Sequence, residues 1–138
     1  MTISVYDVND FLKNDATLTS IAGKEMSFFP VIGYGEELPP FVVYYFYPSI
    51  PSVEAFWNRY DNIRYSIYDS DVDRLFKISE RFIFLLGRGD TVAQTGGITS
   101  QDHRFKASMF VGSTLLEPLE KAGWYQMDLD FRIYSTSY

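Results

Sequence analysis

The sequence predicts an α+β fold in which two helices pack on one face of a mostly antiparallel sheet of four to five strands. Residues 62–87 carry the main evidence, because a strand-like alternation there runs directly into a long amphipathic helix. Several other segments alternate or are wholly apolar, as strands do. Layering helices on one side of such a sheet buries the apolar surface of both. At 138 residues, without internal repeats, residues 1–138 are expected to form a single domain.

Helical spacing begins close to the N-terminus, over residues 4–13. The apolar positions that define it are Val5, Val8, Phe11 and Leu12. A shorter helical turn follows at residues 16–22. Gly23 is its expected stop, because glycine readily takes the left-handed conformation that ends helices. In the predicted order the two pieces count as one helical element.

Two strands are expected next. Residues 27–32 form a short one, weakened by Pro30, which cannot donate a ladder hydrogen bond and therefore belongs at an edge. Residues 41–47, FVVYYFY, are apolar or aromatic on both faces. Such a strand must be covered on both sides, by its own domain or by a neighbouring subunit. Residues 53–60 fit either the start of a strand or a loop.

The strand and helix at residues 62–87 form the centre of the predicted core. Ile63, Tyr65 and Ile67 alternate with polar positions, and Ser70 is the expected helix N-cap. Gly87 is the expected end of the helix. The predicted apolar stripe of the helix is broad and comprises Val72, Leu75, Phe76, Ile78, Phe82, Ile83, Leu85 and Leu86.

The C-terminal third predicts a long loop and two strands. Residues 88–103 are rich in glycine and polar side chains, which is typical of a functional or disordered loop. Residues 104–111 alternate as a strand, and residues 112–123 are expected to be a connection. The last strand, residues 125–133, has one apolar face and one polar face, so it should lie between the core and water.

Composition limits the possible functions. The net charge of −6 argues against a protein that binds nucleic acid by neutralising phosphates. The chain has no cysteine, which excludes disulfides and thiolate chemistry. It shows neither a signal-peptide pattern nor an apolar run of about 20 residues that could span a bilayer. The aromatic content of 18% indicates an aromatic core or extensive interfaces.

No candidate catalytic, cofactor or metal site stands out. Asp69, Asp71 and Asp73 imitate the start of a calcium loop, but Arg74 stands where the loop needs glycine, so a helix start explains them better. A single histidine without cysteine offers no zinc site. Asp128 and Asp130 share one strand face about 7 Å apart, which leaves a carboxylate-dependent hydrolase as an alternative. We expect no enzymatic activity, no cofactor and no metal.

Several stretches together resemble the tail terminator (tail-to-head joining) proteins of tailed phages. They are LKNDATLTSIAGKEMSFFP after the first helix, the strand PPFVVY at residues 39–44, the unit YSIYDSDVDRLFKISERFIFLLG, and the closing strand WYQMDLDFRIYS. The similarity spans most of the chain and lies in the pattern of apolar positions. The family has no catalytic or cofactor residues to carry over.

The resemblance implies a virion protein of the head–tail neck, assembled in the host cytoplasm. Its expected form is a ring, commonly a hexamer, that caps the head-proximal end of the tail tube and ends tube polymerisation. The implied partners are further copies of the chain, the tail tube protein and a head-closure or connector protein. DNA would pass through without specific binding, and no membrane is involved.

Two surfaces are expected to serve this assembly. The candidate interface residues are Phe41, Val43, Tyr45, Tyr47, Arg88, Asp90 and His103. The candidate residues facing a lumen or a seam between subunits are Gln126, Asp128 and Asp130. Three alternatives stay open: another neck or minor tail protein of the head-closure type, the small hydrolase, and a non-viral interaction domain.

Overall fold

The computed structural model describes residues 4–30, 38–48, 58–86, 98, 103–116 and 123–137. These residues form three helices and five strands in one sheet, whose strand order is β1-β2-β3-β5-β4. The elements are α1 (Ser4–Lys13), α2 (Ala16–Ala22), β1 (Phe28–Pro30), β2 (Phe41–Pro48), β3 (Asn58–Asp69), α3 (Val72–Leu86), β4 (His103–Leu116) and β5 (Tyr125–Ser137). The α+β class and the strand number agree with the sequence prediction.

The sheet is mixed, which corrects the expectation of a mostly antiparallel one. β1 runs parallel to β2, with Phe28 opposite Val42, whereas the β2–β3, β3–β5 and β4–β5 pairs are antiparallel. The alternation of side chains shows which segments are strands, but it is the same for both pairing directions. The direction of β1 was therefore beyond what the pattern could predict.

The described residues contain three helices rather than the predicted two, because residues 16–22 form a helix of their own. The Asp15 carboxylate caps it by accepting a hydrogen bond from the Leu18 amide at 2.8 Å. Gly23 closes it in the left-handed conformation, with φ of 78°. Leu18 and Ala22 are both buried, so α2 contributes to the core as a separate element.

All three helices share one core with a single face of the sheet, the inner face, and Tyr65 of β3 lies near its centre. The Tyr65 ring contacts Phe28, Phe82 and Phe131, with ring centroids 5.9, 5.5 and 6.1 Å away. Its hydroxyl donates a hydrogen bond of 2.7 Å to Asn9 Oδ1 on α1. Burial raises the pKa of Tyr65 well above its usual value, so the phenol stays a donor.

The start of α3 and its buried face differ in part from the prediction. Asp71, not Ser70, caps the helix, because its Oδ1 accepts hydrogen bonds from the amides of Asp73 and Arg74 at 3.0 and 3.3 Å. Phe76, which was expected in the apolar stripe, is 42% exposed. The apolar stripe is narrower than expected, because Phe76 points about 100° away from its neighbour on the core side. The core positions of α3 are Leu75, Ile78, Phe82 and Leu86.

Three strands extend several residues beyond their predicted bounds, and β2 extends by one residue to Pro48. β3 begins at Asn58, which settles part of the ambiguous segment 53–60, and β5 continues to Ser137. β4 runs to Leu116 and so occupies the start of the expected connection at residues 112–123. The predicted loop at residues 88–103 falls outside the described residues except for Ile98, which is buried in the core, and His103, which opens β4.

Replacing two of the three phenylalanines of α3, Phe76 and Phe82, should separate the buried from the exposed face. Phe82 is fully buried against Tyr65, so Phe82→Ala should reduce the free energy of unfolding by roughly 3–5 kcal/mol. Phe76→Ala removes the same atoms from an exposed position and should cost less than about 1 kcal/mol. Urea unfolding of both variants measures the difference. Equal losses would show that the buried face of α3 is misplaced.

The ion pair between α2 and α3 should make stability depend on pH. Arg81 Nε and Nη2 donate to the Asp15 carboxylate at 2.8 and 2.9 Å, and this hydrogen bond lowers the pKa of Asp15. A lowered folded-state pKa contributes stability above the unfolded pKa, and that stability is lost as pH falls through the folded value. Urea midpoints from pH 6 down to pH 3 should therefore fall less steeply in Asp15→Asn. Arg81→Gln should show the same shallower slope, whereas unchanged slopes would contradict the role of the pair.

Candidate subunit interface on the outer sheet face

The sheet face turned away from the helices, here called the outer face, carries most of the predicted site residues. Side chains directly opposite one another on neighbouring strands share a face, so the strand registers define it. Four rows cross it from β2 through β3 and β5 to β4. They are Phe41–Tyr68–Gln126–Leu116, Val43–Ser66–Asp128–Thr114, Tyr45–Arg64–Asp130–Gly112 and Tyr47–Asn62–Arg132–Met109.

Polar side chains of the two central strands are bonded to one another across the outer face. Arg64 donates two hydrogen bonds to the Asp130 carboxylate, from Nε to Oδ1 at 2.8 Å and from Nη2 to Oδ2 at 3.3 Å. The neighbouring carboxylate of Asp128 accepts from Ser66 Oγ at 2.6 Å and from Gln126 Nε2 at 2.8 Å. We call this band the polar seam; its members are Asn62, Arg64, Ser66, Gln126, Asp128, Asp130 and Arg132.

The polar seam is balanced in charge. It contains two carboxylates, Asp128 and Asp130, and two guanidinium groups, those of Arg64 and Arg132. Arg64 lies opposite Asp130, whereas Asp128 lies opposite Ser66 and Arg132 opposite Asn62. The hydrogen bond to Asp130 raises the pKa of Arg64 above its usual value. Arg132 Nε donates to Asn62 Oδ1 at 3.3 Å. The polar face of β5, together with the residues of β3 opposite it, therefore has no net charge over the polar seam.

One end of the outer face is an aromatic cluster that belongs to the subunit itself. Phe41 stacks on Tyr68 with ring centroids 5.1 Å apart and meets the edges of Phe29 and Trp124 at 6.1 and 5.5 Å. Phe41 and Val43 are 0% and 2% exposed. These two candidate interface residues are thus covered by their own chain. Among the candidates on β2, Tyr45 and Tyr47 are the more accessible pair.

Apolar side chains border the polar seam on both sides. On the β2 side, Tyr45 is half-buried and Tyr47 is 53% exposed. On the β4 side, Met109 is 53% exposed. Val111 is 56% exposed and lies at the register shift between Phe110 and Gly112, where it has no partner on β5. Leu116 adds a further exposed side chain at the end of β4. The outer face therefore has a neutral polar centre and two apolar borders.

The four rows of the outer face do not include three of the predicted interface residues. Arg88 and Asp90 lie outside the described residues. His103 begins β4, opposite Ser137 of β5, at the far end of the strand from Leu116. The structure therefore brings the β2 and β5 candidates onto one face.

The alternative chemistries find little support in the described geometry. Both carboxylates of the hydrolase hypothesis, Asp128 and Asp130, already accept hydrogen bonds from neighbouring side chains on a sheet surface. Within the described parts of the chain, no three acidic or histidine side chains come together as a metal site. The same described residues include no helix that is both long and apolar enough to cross a membrane.

Sequence reasoning missed the Arg64–Asp130 pair. The alternation of β3 places Arg64 opposite the apolar face, and that of β5 does the same for Asp130. Alternation does not give the register between β3 and β5, and this register places the two residues side by side. The exposed apolar side chains of β4 beyond Val111 were missed because that segment was assigned to a connection.

The comparison with solved structures identifies this fold. A chain in the virion of a native gene transfer agent (GTA) particle superposes on this one with a TM-score of 0.69. The match covers 94% of this chain and 91% of that chain, at 16% sequence identity. The two chains share one fold. No protein-family model and no curated protein sequence matches the chain.

Calcium should leave the protein unchanged, because two of the three aspartates of the D-x-D-x-D run, Asp69 and Asp71, are already engaged. Asp69 is fully buried and pairs with Arg74 at 2.6 Å, while Asp71 caps α3. We expect the same melting temperature in millimolar calcium and in millimolar magnesium, measured by differential scanning fluorimetry. A calcium-specific rise that disappears in Asp71→Asn would overturn this assignment.

Proposed function

We propose that this protein is a structural component of a phage-type virion, and within it the tail terminator. In this role copies of the chain form a ring, as a hexamer, on the head-proximal end of the tail tube. The ring ends tube polymerisation and offers a docking surface to the head-closure or connector protein. The proposed location is the head–tail neck of the virion, after assembly in the host cytoplasm.

The observation that carries the proposal is the fold shared with a chain of the GTA virion. The match extends over 94% of this chain and 91% of the other, so it concerns a whole subunit rather than one motif. The sequence resemblance to tail terminators points in the same direction and rests on different evidence, namely the pattern of apolar positions. Together they favour a subunit whose function is assembly.

The outer face suits a surface past which DNA moves. A guanidinium group that is not paired would hold phosphates, and an acidic face would repel them. Here Asp130 holds Arg64 in a two-bond ion pair, and Arg132 donates to the neutral Asn62. The charge of Arg132 is offset within the seam by Asp128, so acidic and basic side chains are equal in number. A neutral, hydrogen-bonded surface has little affinity for the duplex, so we propose that the polar seam faces the lumen or the contact between subunits.

A second candidate is a neighbouring neck or minor tail protein of the head-closure type. The shared fold supports this role equally, because folds are reused among virion proteins with different positions. The two candidates differ in what the protein does to tube length. Only a terminator controls where the tube stops, whereas a head-closure protein acts on the head side of the same joint.

Deletion of the gene from its parent particle tests the proposal. We expect filled heads and separate tails that fail to join, with many tails longer than normal, by negative-stain electron microscopy. Supplying the wild-type gene from a plasmid should restore joined particles with tails of normal length. In parallel, the purified protein should show rings in micrographs.

The deletion also separates the two candidates. Unjoined tails of normal length, together with leaking or empty heads, would replace the terminator role by a head-closure role. Intact particles with joined tails would remove both neck roles. The phenotype reports on function directly, whereas rings of the purified protein report only on assembly.

A further inference from the structure

We propose that Asp130 prevents the outer face from binding DNA, because it occupies the guanidinium group of Arg64 that would otherwise bind the phosphates of a duplex. Arg64 and Arg132 together form a phosphodiester-binding site that Asp130 blocks. The chemistry of this site depends only on the geometry of the described strands. Its position along the path of DNA rests on the proposed function.

The first observation is that the Arg64–Asp130 pair is open to a ligand. The side chains of Arg64 and Asp130 are 44% and 39% exposed. They stand on β3 and β5, which both have a neighbouring strand on each side, so the backbone beneath them is held in place. An exposed ion pair adds little stability. Its main effect is therefore on what the surface presents to other molecules.

The second observation is the geometry of the pair. Arg64 uses two nitrogens, Nε and Nη2, to donate to the two oxygens of the Asp130 carboxylate, at 2.8 and 3.3 Å. Arginine binds a phosphate group through the same two-bond arrangement. A phosphate would have to compete with Asp130 for the same donors. Asp130 therefore takes the place that a phosphate would occupy.

The third observation is the position of the second arginine. Arg132 lies on the same face of β5 as Asp130 and two residues further along, which is about 7 Å. It is also the diagonal neighbour of Arg64 across the strand pair, at about 7–8 Å. Its Nε donates to Asn62 Oδ1 at 3.3 Å, and that acceptor is neutral. In the strand register, Asp130 is thus directly beside both arginines.

The other carboxylate of the polar seam cannot replace Asp130. Asp128 accepts hydrogen bonds from Ser66 and Gln126 at 2.6 and 2.8 Å. It lies four residues from Arg132 along β5, which is about 13 Å. Without the charge of Asp130, the seam would hold two guanidinium groups and one carboxylate, and its net charge would change from zero to positive.

The ligand that suits this site is the backbone of duplex DNA. An open strand surface does not enclose a small anion, whereas a duplex presents one phosphate about every 3.4 Å per strand along its axis. Arginine, asparagine, serine and glutamine side chains all contact phosphates without reading the base sequence. The blocked site is therefore expected to bind DNA of any sequence, and to do so more weakly as salt rises.

Removing the charge of Asp130 tests the proposal. Asp130→Asn should bind a labelled duplex of about 20 base pairs at least tenfold more tightly than the wild type in about 50 mM salt, measured by fluorescence anisotropy. Its affinity should also fall more steeply with salt, by about 0.9 in the logarithmic slope for each additional phosphate contacted. Asp130→Ala provides a second variant of the same kind, and circular dichroism and melting temperature verify folding.

Two control variants separate the site from total charge. Asp73→Asn removes the same charge from an exposed position in the first turn of α3 and should bind DNA like the wild type. Asp130→Asn combined with Arg64→Gln should also return to the wild-type affinity, because the freed guanidinium group is gone. Equal binding by Asp130→Asn and Asp73→Asn, or no gain in either Asp130 variant, would overturn the proposal.

Particles that carry Asp130→Asn test where the site lies. We expect joined tails of normal length but at least tenfold less DNA delivered per particle, with delivery restored by adding Arg64→Gln. Tighter DNA binding in solution with normal delivery would overturn the placement of the site on the DNA path. Failure of the binding experiment rejects the role of Asp130 and leaves the terminator role standing. Normal joined tails after deletion of the gene would reject the terminator role and leave the blocked site standing.

Discussion

The phenol of Tyr65 has to find a hydrogen-bond partner in the middle of an aromatic core, and Asn9 of α1 provides it at 2.7 Å. A buried hydroxyl without a partner would cost about 1–3 kcal/mol, so the position of α1 over β3 is constrained by this contact. The rings of Phe28, Phe82 and Phe131 surround Tyr65 from β1, α3 and β5. One side chain thus fixes how four other elements meet.

Placing all three helices on the inner face determines what the outer face must do. No helix of the described residues packs on the outer face, so the described strands satisfy that face with their own side chains. The two central strands do so with polar pairs such as Arg64–Asp130 and Ser66–Asp128. Exposed ion pairs of this kind contribute little stability, typically below about 1 kcal/mol. Their stronger effect is to leave the surface neutral and its polar groups bonded.

The sequence predicted those parts of the fold in which local periodicity matches burial. The bounds of α1 and α2 agree with their patterns, and the core positions Ile63, Ile67 and Phe82 are fully or almost fully buried. The pattern assigned more apolar residues to the buried face of α3 than that face contains, and Phe76 is exposed. The N-cap of α3 was missed by one residue, because Ser70 and Asp71 can both accept the amide hydrogen bonds.

Long-range features were less predictable, for a physical reason. Strand direction and register depend on contacts between residues far apart in the chain, and alternation alone carries neither. The parallel β1–β2 pair and the Arg64–Asp130 ion pair both belong to this class. The sequence analysis ended β4 too early, because a glycine such as Gly112 usually indicates the end of a strand. In the structure the strand continues through Gly112 after a register shift between Phe110 and Gly112.

The distribution of apolar side chains on the outer face is better explained by an assembly than by an isolated subunit. For a monomer, the open edges should carry the charges and the protected central strands should carry the apolar residues. Here the order is reversed, with Arg64 and Asp130 on the central strands and Tyr47, Met109 and Leu116 at the borders. The polar groups of the two central strands are bonded to one another, whereas the apolar side chains at the borders are exposed in the single subunit. Burying such borders in a contact with another protein surface would stabilise the subunit, because each apolar side chain would leave water.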